Sequence, residues 1–338
     1  MHVLVTGGTG LIGSYAAVAL RAAGHDVRLL VRSPGKVPTV FAPHEVEFDD
    51  IVTGDITDRA SVEAAIDGCD AVVHAAAVTS VERRRAQEVL ATNEAGVRNV
   101  VGSAVEAGLD PVVYTSSVGA LFPPDTAVVC PDTAVATPKN AYGASKAASE
   151  HYVRALQSDD HPVTILYPGG VWGPNDPNMG PNLSAVVTNY EAGTPIVKGS
   201  GWSVVDVRDL ADLVVATMAA DQGPGRYVLG GHNPDTDRMN RELTAVGGRK
   251  VRRIPMPGAV LRGIGRVNDA VMWVLPLDLS ITGEGMQYLT RWPGSDDSAA
   301  LALMGRPLRP LRETVEDSVR WLVASGHLDV KYAPAMAV

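Results

Sequence analysis

Residues 141–147 read "AYGASKA", which sets Tyr142 and Lys146 four positions apart with only small residues between them. Four positions is about one helical turn, so a phenol and an ammonium share one helix face. Such a pair is either a packed tyrosine beside a snorkelling lysine, or a proton donor with a charge placed to tune it. The choice depends on whether the rest of the chain supplies a cofactor for the pair to serve.

The opening segment "VTGGTGLIG" places Gly7, Gly8, Gly10 and Gly13 directly after a strand-like run and at the start of a helical one, with Leu11 and Ile12 between the last two. Glycines there permit a tight turn and let backbone N–H groups approach a pyrophosphate, whose charge meets a helix N-terminus. The spacing points to dinucleotide binding. The usual ribose-reading acid about twenty residues on is missing: "LVRSPGK" offers Arg32, Ser33 and Lys36. A guanidinium can grip a 2′-phosphate bidentately, which favours NADP(H) over NAD(H), the alternative being a solvent-facing arginine. Asp55, followed by Ile56 in "GDITD", is the expected adenine contact or else a helix N-cap, a role Thr57 or Asp58 could also fill.

These residues need a scaffold. Strands are predicted at 2–7, 25–32, 46–55, 70–77, 111–117 and 162–170, and helices over 10–23, 58–68, 89–108 and 141–157. The alternation implies an α/β fold: a doubly wound parallel Rossmann sheet, covered on both faces, with ligands at the carboxyl ends of the strands. After Gly170 the texture changes to "VWGPNDPNMGPNLS", dense in Pro, Gly and Asn. The expected division is a dinucleotide-binding domain over 1–170, completed by 203–230. A smaller, interleaved C-terminal substrate-binding cap would cover 171–202 and 231–326, and 327–338 would form a loose tail.

With 338 residues, 46% of them hydrophobic, the chain can bury a sizeable core, and a net charge of −9 argues against nucleic acid as a partner. The basic runs at Arg83–Arg85 and "GRKVRR" are too short to reverse that. Cys69 and Cys130 lack metal-ligand spacing, so neither a metal nor a disulfide framework is expected. "MHVLV" reads as a strand rather than a signal peptide, and "AVMWVLPL" at 270–277 is too short to span a bilayer. The expectation is a cytoplasmic protein with no integral membrane segment.

Taken in order, "TGGTGLIG", "GDITD", "VVHAAA", "TNEAG", "YTSS", "YGASK", "YPGGVWGPND" and the later "VDVRDLADLV" resemble the extended short-chain dehydrogenase/reductases of the epimerase/dehydratase superfamily. The resemblance implies that Ala75, Ala76 and Ala77 pass beneath the adenine-side ribose and phosphates, with Thr115 also on the cofactor. It makes Asn93 the helix asparagine near the site, Ser117 the catalytic hydroxyl, and Tyr142 with Lys146 the proton-donor pair. Tyr167, Pro168, Gly169 and Val171 would border the nicotinamide. A free tyrosine titrates near pH ~10, and Lys146 together with an oxidised nicotinamide would lower that value. Tyr142 would protonate a carbonyl oxygen as hydride arrives, Ser117 would hydrogen-bond that oxygen, and Lys146 would hold the nicotinamide ribose. Family members of this kind often dimerise through the helix bearing the Tyr-Lys pair, so a homodimer is compatible with the pattern.

Three readings of function remain: a carbonyl reductase or secondary-alcohol dehydrogenase, a nucleotide-sugar epimerase or dehydratase, and a non-catalytic dinucleotide sensor. "TSSVG" lacks the acidic pair that dehydratases place beside the hydroxyl. Trp202 stands where epimerases carry a pyrophosphate-clamping arginine, and Arg208 is expected to pair with Asp209 instead. The chain looks most like the dihydroflavonol-reductase branch and its relatives, the 3β-hydroxysteroid dehydrogenases, although Tyr167 replaces the arginine that often precedes the Pro-Gly. Val118, Trp172, Trp202, Met272 and Trp273 are the candidate contacts for a hydrophobic, cyclic ketone or alcohol.

Overall fold

The computed structural model describes residues 1–79, 83–123, 125–158, 160–219, 223–274 and 282–337. The first six strands are β1 (His2–Thr6), β2 (Asp26–Val31), β3 (Ile51–Thr53), β4 (Ala71–His74), β5 (Val112–Thr115) and β6 (Val163–Pro168). Between them run α1 (Leu11–Ala22), α2 (Val37–Phe41), α3 (Arg59–Ile66), α4 (Ala86–Glu106) and α5 (Ala141–Leu156). The chain continues through β7 (Val171–Trp172), α6 (Pro181–Ala192), β8 (Thr194–Ile196), β9 (Val205–Asp206), α7 (Val207–Ala216) and β10 (Gly225–Leu229). It ends with α8 (Thr236–Gly247), β11 (Arg253–Pro255), α9 (Gly258–Val274), α10 (Gly283–Arg291), α11 (Ser298–Met304) and α12 (Leu311–Ala324).

Contacts divide the chain into two units. The first comprises Met1–Pro168, Val207–Leu229 and Asp296–Pro307. Its seven-stranded sheet runs β10–β6–β5–β4–β1–β2–β3, with every neighbouring pair parallel. Strand order reverses at β1, and ligands of such sheets bind beyond the carboxyl ends at that point. Val3, Leu4, Val5, Val72, Val73, Val113 and Ile165 have no exposure, because helices cover both faces. Each such side chain contributes about 1.5–3 kcal/mol by leaving water. The expected strand at 46–55 shrinks to Ile51–Thr53, an edge strand paired only with β2.

The second unit comprises Gly169–Asp206, Gly230–Ser295 and Leu308–Val338. It holds two short parallel pairs, β7 with β9 and β8 with β11, so Val205–Asp206 does not extend the main sheet as expected. Its core gathers Trp172, Leu183, Val186, Met239, Leu243, Val315, Val319 and Leu322. Two boundary expectations need correction. Residues 296–307, expected in the cap, belong to the first unit, because α11 buries Ala300 and packs on α7 and β10. The expected tail is not loose. Leu328 and Ala333 are buried in the second unit's core, and Ala335 meets Gly248 at the end of α8. No helix among the described residues is long and apolar enough to cross a membrane.

Candidate active site

The loop after β1 is shaped by what a side chain would hit. Gly7 has φ +77°, and a Cβ there would lie 2.6 Å from the Ala76 nitrogen, so the loop rests on the Ala75–Ala76 backbone that follows β4. A Cβ on Gly13 would fall 2.2 Å from the Gly7 carbonyl oxygen, which is how α1 can start so close to the loop. Gly10 is the N-cap of α1, and its N–H donates to Gly7 O at 2.9 Å. No side chain caps this helix and its first turn carries no acid. The N–H groups around Leu11, Ile12 and Gly13 therefore face an anion-binding position with the positive end of the helix dipole behind them. This cradle fits the pyrophosphate of a dinucleotide.

Further along the carboxyl ends, Arg32 follows β2 and is exposed, as is Lys36. Asp55 Oδ1 accepts from the Thr57 N–H at 2.9 Å and the Thr57 hydroxyl at 2.8 Å. These bonds, with Arg32 adding its charge, hold the Asp55 carboxyl below the usual range. The N-cap of α3 is Asp58, which accepts from Ala60 N–H, so Asp55 is not the cap. Ile56 lies against α4 where Gly96 leaves room for it.

The Tyr-Lys pair stands on α5, whose first turn is capped by Asn140 accepting from Gly143 N–H at 2.6 Å. Lys146 is buried. Its Nζ donates to Thr115 O at the end of β5, 2.9 Å away, and lies 5.1 Å from the centre of the Tyr114 ring. Burial pushes Lys146 down to about 8, while the Glu150 charge acts upward. Tyr142 is half-buried with Ser117 beside it. Burial raises its phenol and the Ser117 contact works against that rise. In the chain alone burial sets the direction of the phenol, whereas the expected lowering by Lys146 together with an oxidised nicotinamide concerns the cofactor-bound protein. Ser117 Oγ also accepts from Gly119 N–H at 3.0 Å, which fixes the hydroxyl at the carboxyl end of β5.

Other expected residues divide. Asn93 is buried and its amide is occupied: Oδ1 accepts from Val78 N–H at 2.8 Å, and Nδ2 donates to Val78 O at 3.1 Å and Ser145 Oγ at 2.9 Å. It braces the segment after β4 against α5. Pro168 is buried at the end of β6, but the Tyr167 side chain turns into the core, its hydroxyl donating to Glu150. Only the Tyr167 backbone is left to border a ligand. Val118 is buried in the short turn after Ser117.

In the second unit, Gly169 is packed so closely that a Cβ would overlap Ser203 Oγ, and Val171 is buried in β7. Trp172 has no exposure and belongs to that unit's core, edge-on to the partly buried Trp202 at 5.8 Å, which corrects its assignment as a pocket wall. Met272 is half-buried on α9. The Trp273 side chain and residues 275–277 lie outside the described residues. In the first unit, Asp209 pairs with Arg306 at 2.8 Å.

Sequence reasoning missed the groups beneath the pair. His74 is fully buried with Nδ1 2.7 Å from Thr6 Oγ1, and burial followed by the Lys146 charge pushes it down to about 3, so it is neutral. Glu150, one turn beyond Lys146, is fully buried with Ser116, Tyr167 and Arg154 around it. Its i,i+4 spacing from Lys146 was the available signal.

Comparison with known proteins gives the family and the fold. The model of the NAD dependent epimerase/dehydratase family matches residues 3–230. A 3-beta-hydroxysteroid dehydrogenase of Mycolicibacterium neoaurum is 29% identical over 77% of this chain and 74% of its own length. A dihydroflavonol 4-reductase of Hordeum vulgare is 28% identical over 71% of this chain and 73% of its own. Among solved structures, gox2253 superposes with a TM-score of 0.80 at 26% identity, covering 97% of this chain and 99% of that one.

Proposed function

The chain belongs to the NAD dependent epimerase/dehydratase family, and on that premise we propose that it is an NADP(H)-preferring carbonyl reductase or secondary-alcohol dehydrogenase acting on a hydrophobic, cyclic ketone or alcohol. The observation that carries the reading is the meeting of Tyr142, Ser117 and Lys146 at the carboxyl end of β5, in the same unit as the glycine cradle after β1. Gly7, Gly10, Leu11, Ile12 and Gly13 would hold the pyrophosphate, and Ala75–Ala77 would lie under the adjoining ribose. When bound, the nicotinamide supplies the hydride or receives it.

The remaining work falls to the chain. In reduction, Tyr142 gives its phenolic proton to the substrate oxygen as the carbonyl carbon gains hydride, leaving a phenolate and an alcohol. Ser117, held by Gly119 N–H, donates to the same oxygen. Lys146 contributes positive charge that stabilises the phenolate as it forms. In oxidation the same groups act in reverse. The basic, acid-free end of β2 at Arg32 supports the preference for NADP(H). The hydroxysteroid and dihydroflavonol relatives support a ringed, apolar substrate.

The test is a panel of cyclic ketones and secondary alcohols, each assayed with NADPH/NADP and NADH/NAD. Net oxidation or reduction of the nicotinamide is expected, whereas an epimerase would turn over substrate with no net absorbance change. With an active substrate, Tyr142→Phe should lower kcat by at least ~10²-fold, the scale of lost acid–base catalysis, while NADPH binding followed by fluorescence persists. Undiminished turnover would remove Tyr142 from its role.

A further inference from the structure

Glu150 is a charged side chain with no exposure in the core of the first unit, and its partners tie it to each part of the site. Oε2 accepts from the Ser116 hydroxyl at 2.8 Å, and Ser116 immediately precedes Ser117. Oε1 accepts from Arg154 Nε at 2.7 Å and from the Tyr167 hydroxyl at the end of β6. Arg154 also donates to Tyr167 Oη at 3.1 Å and Thr133 O at 3.3 Å, which fixes the guanidinium. Glu150 itself lies one helical turn from Lys146 on the same α5 face. Resting on the assignment of Tyr142 and Lys146 above, we propose that Glu150 is a positioning residue. Its carboxylate ties the Ser117 loop and β6 to α5 and fixes a negative charge one turn behind Lys146.

Two arguments support it over a purely structural role. β5 and β6 are already joined by their own ladder, and Ser116 N–H donates to Leu166 O at 2.8 Å, so the fold has its strand register without the carboxylate. A buried ion pair costs desolvation that apolar packing would avoid, so its placement beside another buried charge calls for a use. The groups around Lys146 define that use. Tyr142 stands one turn before it on α5, Thr115 and Tyr114 face it from β5, and His74 faces it from β4. His74 is neutral, Tyr114 is pushed upward by burial and stays a phenol, and Thr115 offers only its carbonyl. Among the described residues, Glu150 is thus the anionic group acting on Lys146, opposing the burial that brings it to about 8.

The sign of the consequence is fixed. Removing the negative charge favours the neutral amine, so Lys146 loses its proton at lower pH. In Glu150→Gln, the Lys146 resonance in 15N-lysine spectra of the cofactor-free protein should titrate about one pH unit lower than in the parent, the scale for losing a nearby opposite charge. The alkaline fall in kcat/KM should move down with it, while Glu150→Asp, which keeps the charge, should titrate close to the parent. Unchanged Lys146 titration in Glu150→Gln would overturn the electrostatic part. Should that variant fail to fold, Ser116→Ala leaves the charge in place. It should lower kcat several-fold with Lys146 titration and NADPH binding unchanged, and a parental kcat would overturn the tie to Ser117. Because the Lys146 titration is read without cofactor or substrate, it stands apart from the Tyr142→Phe test, whose failure would sink the catalytic reading instead.

Discussion

On the proposed reading, cofactor choice turns on Arg32. It follows β2 at the carboxyl edge, exposed, with its charge felt by Asp55 on the loop after the neighbouring β3. Two hydrogen bonds from a guanidinium to a 2′-phosphate are charge-assisted, and bonds of that kind are worth about 1.5–3 kcal/mol. Arg32→Glu replaces attraction by repulsion of the phosphate and restores an acid able to accept from ribose hydroxyls. The ratio of kcat/KM with NADPH to that with NADH should fall at least ~10-fold, as initial rates with each cofactor will reveal, and an unchanged ratio would assign the selectivity elsewhere. The glycine turn at a strand–helix junction and the shared helix of Tyr142 and Lys146 were legible in the sequence, because each is carried by residue type and interval. Direction is less legible. Tyr167 reads like a site residue, yet its ring turns inward to Glu150, and Trp172 reads like a pocket wall, yet it fills a core. Neither periodicity nor composition states which side of a strand end faces the ligand.

At the level of elements, the cofactor cradle is a junction between β1 and α1 in which two backbones touch. Gly13 lies in the first turn of α1, where a Cβ would stand 2.2 Å from Gly7 O. Neither atom belongs to a flexible side chain, so Gly13→Ala must displace the helix start or the loop. Overpacking of this type costs about 1–3 kcal/mol, and the displaced N–H groups would no longer converge on one anion. The variant should show a lower Tm and lose most of its NADPH affinity in a fluorescence titration. Gly263→Ala on α9 is the matched control: nothing lies within 4 Å of its Cβ, so helix propensity alone should stabilise by about 0.5–1 kcal/mol. Similar losses in both proteins would mean that the close approach at Gly13 is not what the cradle requires. The α1 junction, the β-α alternation and α5 could be read from sequence because each rests on local pattern. The short β3 could not, since strand length at an edge depends on what the neighbour pairs with.

For the whole molecule, the chain crosses between its two units at five places, after Pro168, Asp206, Leu229, Ser295 and Pro307. The change of texture after Gly170 announced a second unit, but local pattern does not reveal that α11 returns to the first unit or that the final residues pack into the second. Those are long-range contacts, set by which buried surface remains uncovered. α11 buries Ala300 while packing on α7 and β10, and Arg306 just beyond it bonds to Asp209, which is 1% exposed, and to Asp212. A fragment ending at residue 230 spans the family match yet lacks this cover. It would expose apolar surface of α7 and β10, at about 1.5–3 kcal/mol for each buried side chain returned to water, and remove Arg306 from Asp209 and Asp212. That is a large share of the ~5–15 kcal/mol by which domains are stable. The fragment should therefore lack a cooperative thermal transition by circular dichroism. If instead it melted sharply within a few degrees of the full chain, α11 and Arg306 would be ornaments on a first unit already complete without them.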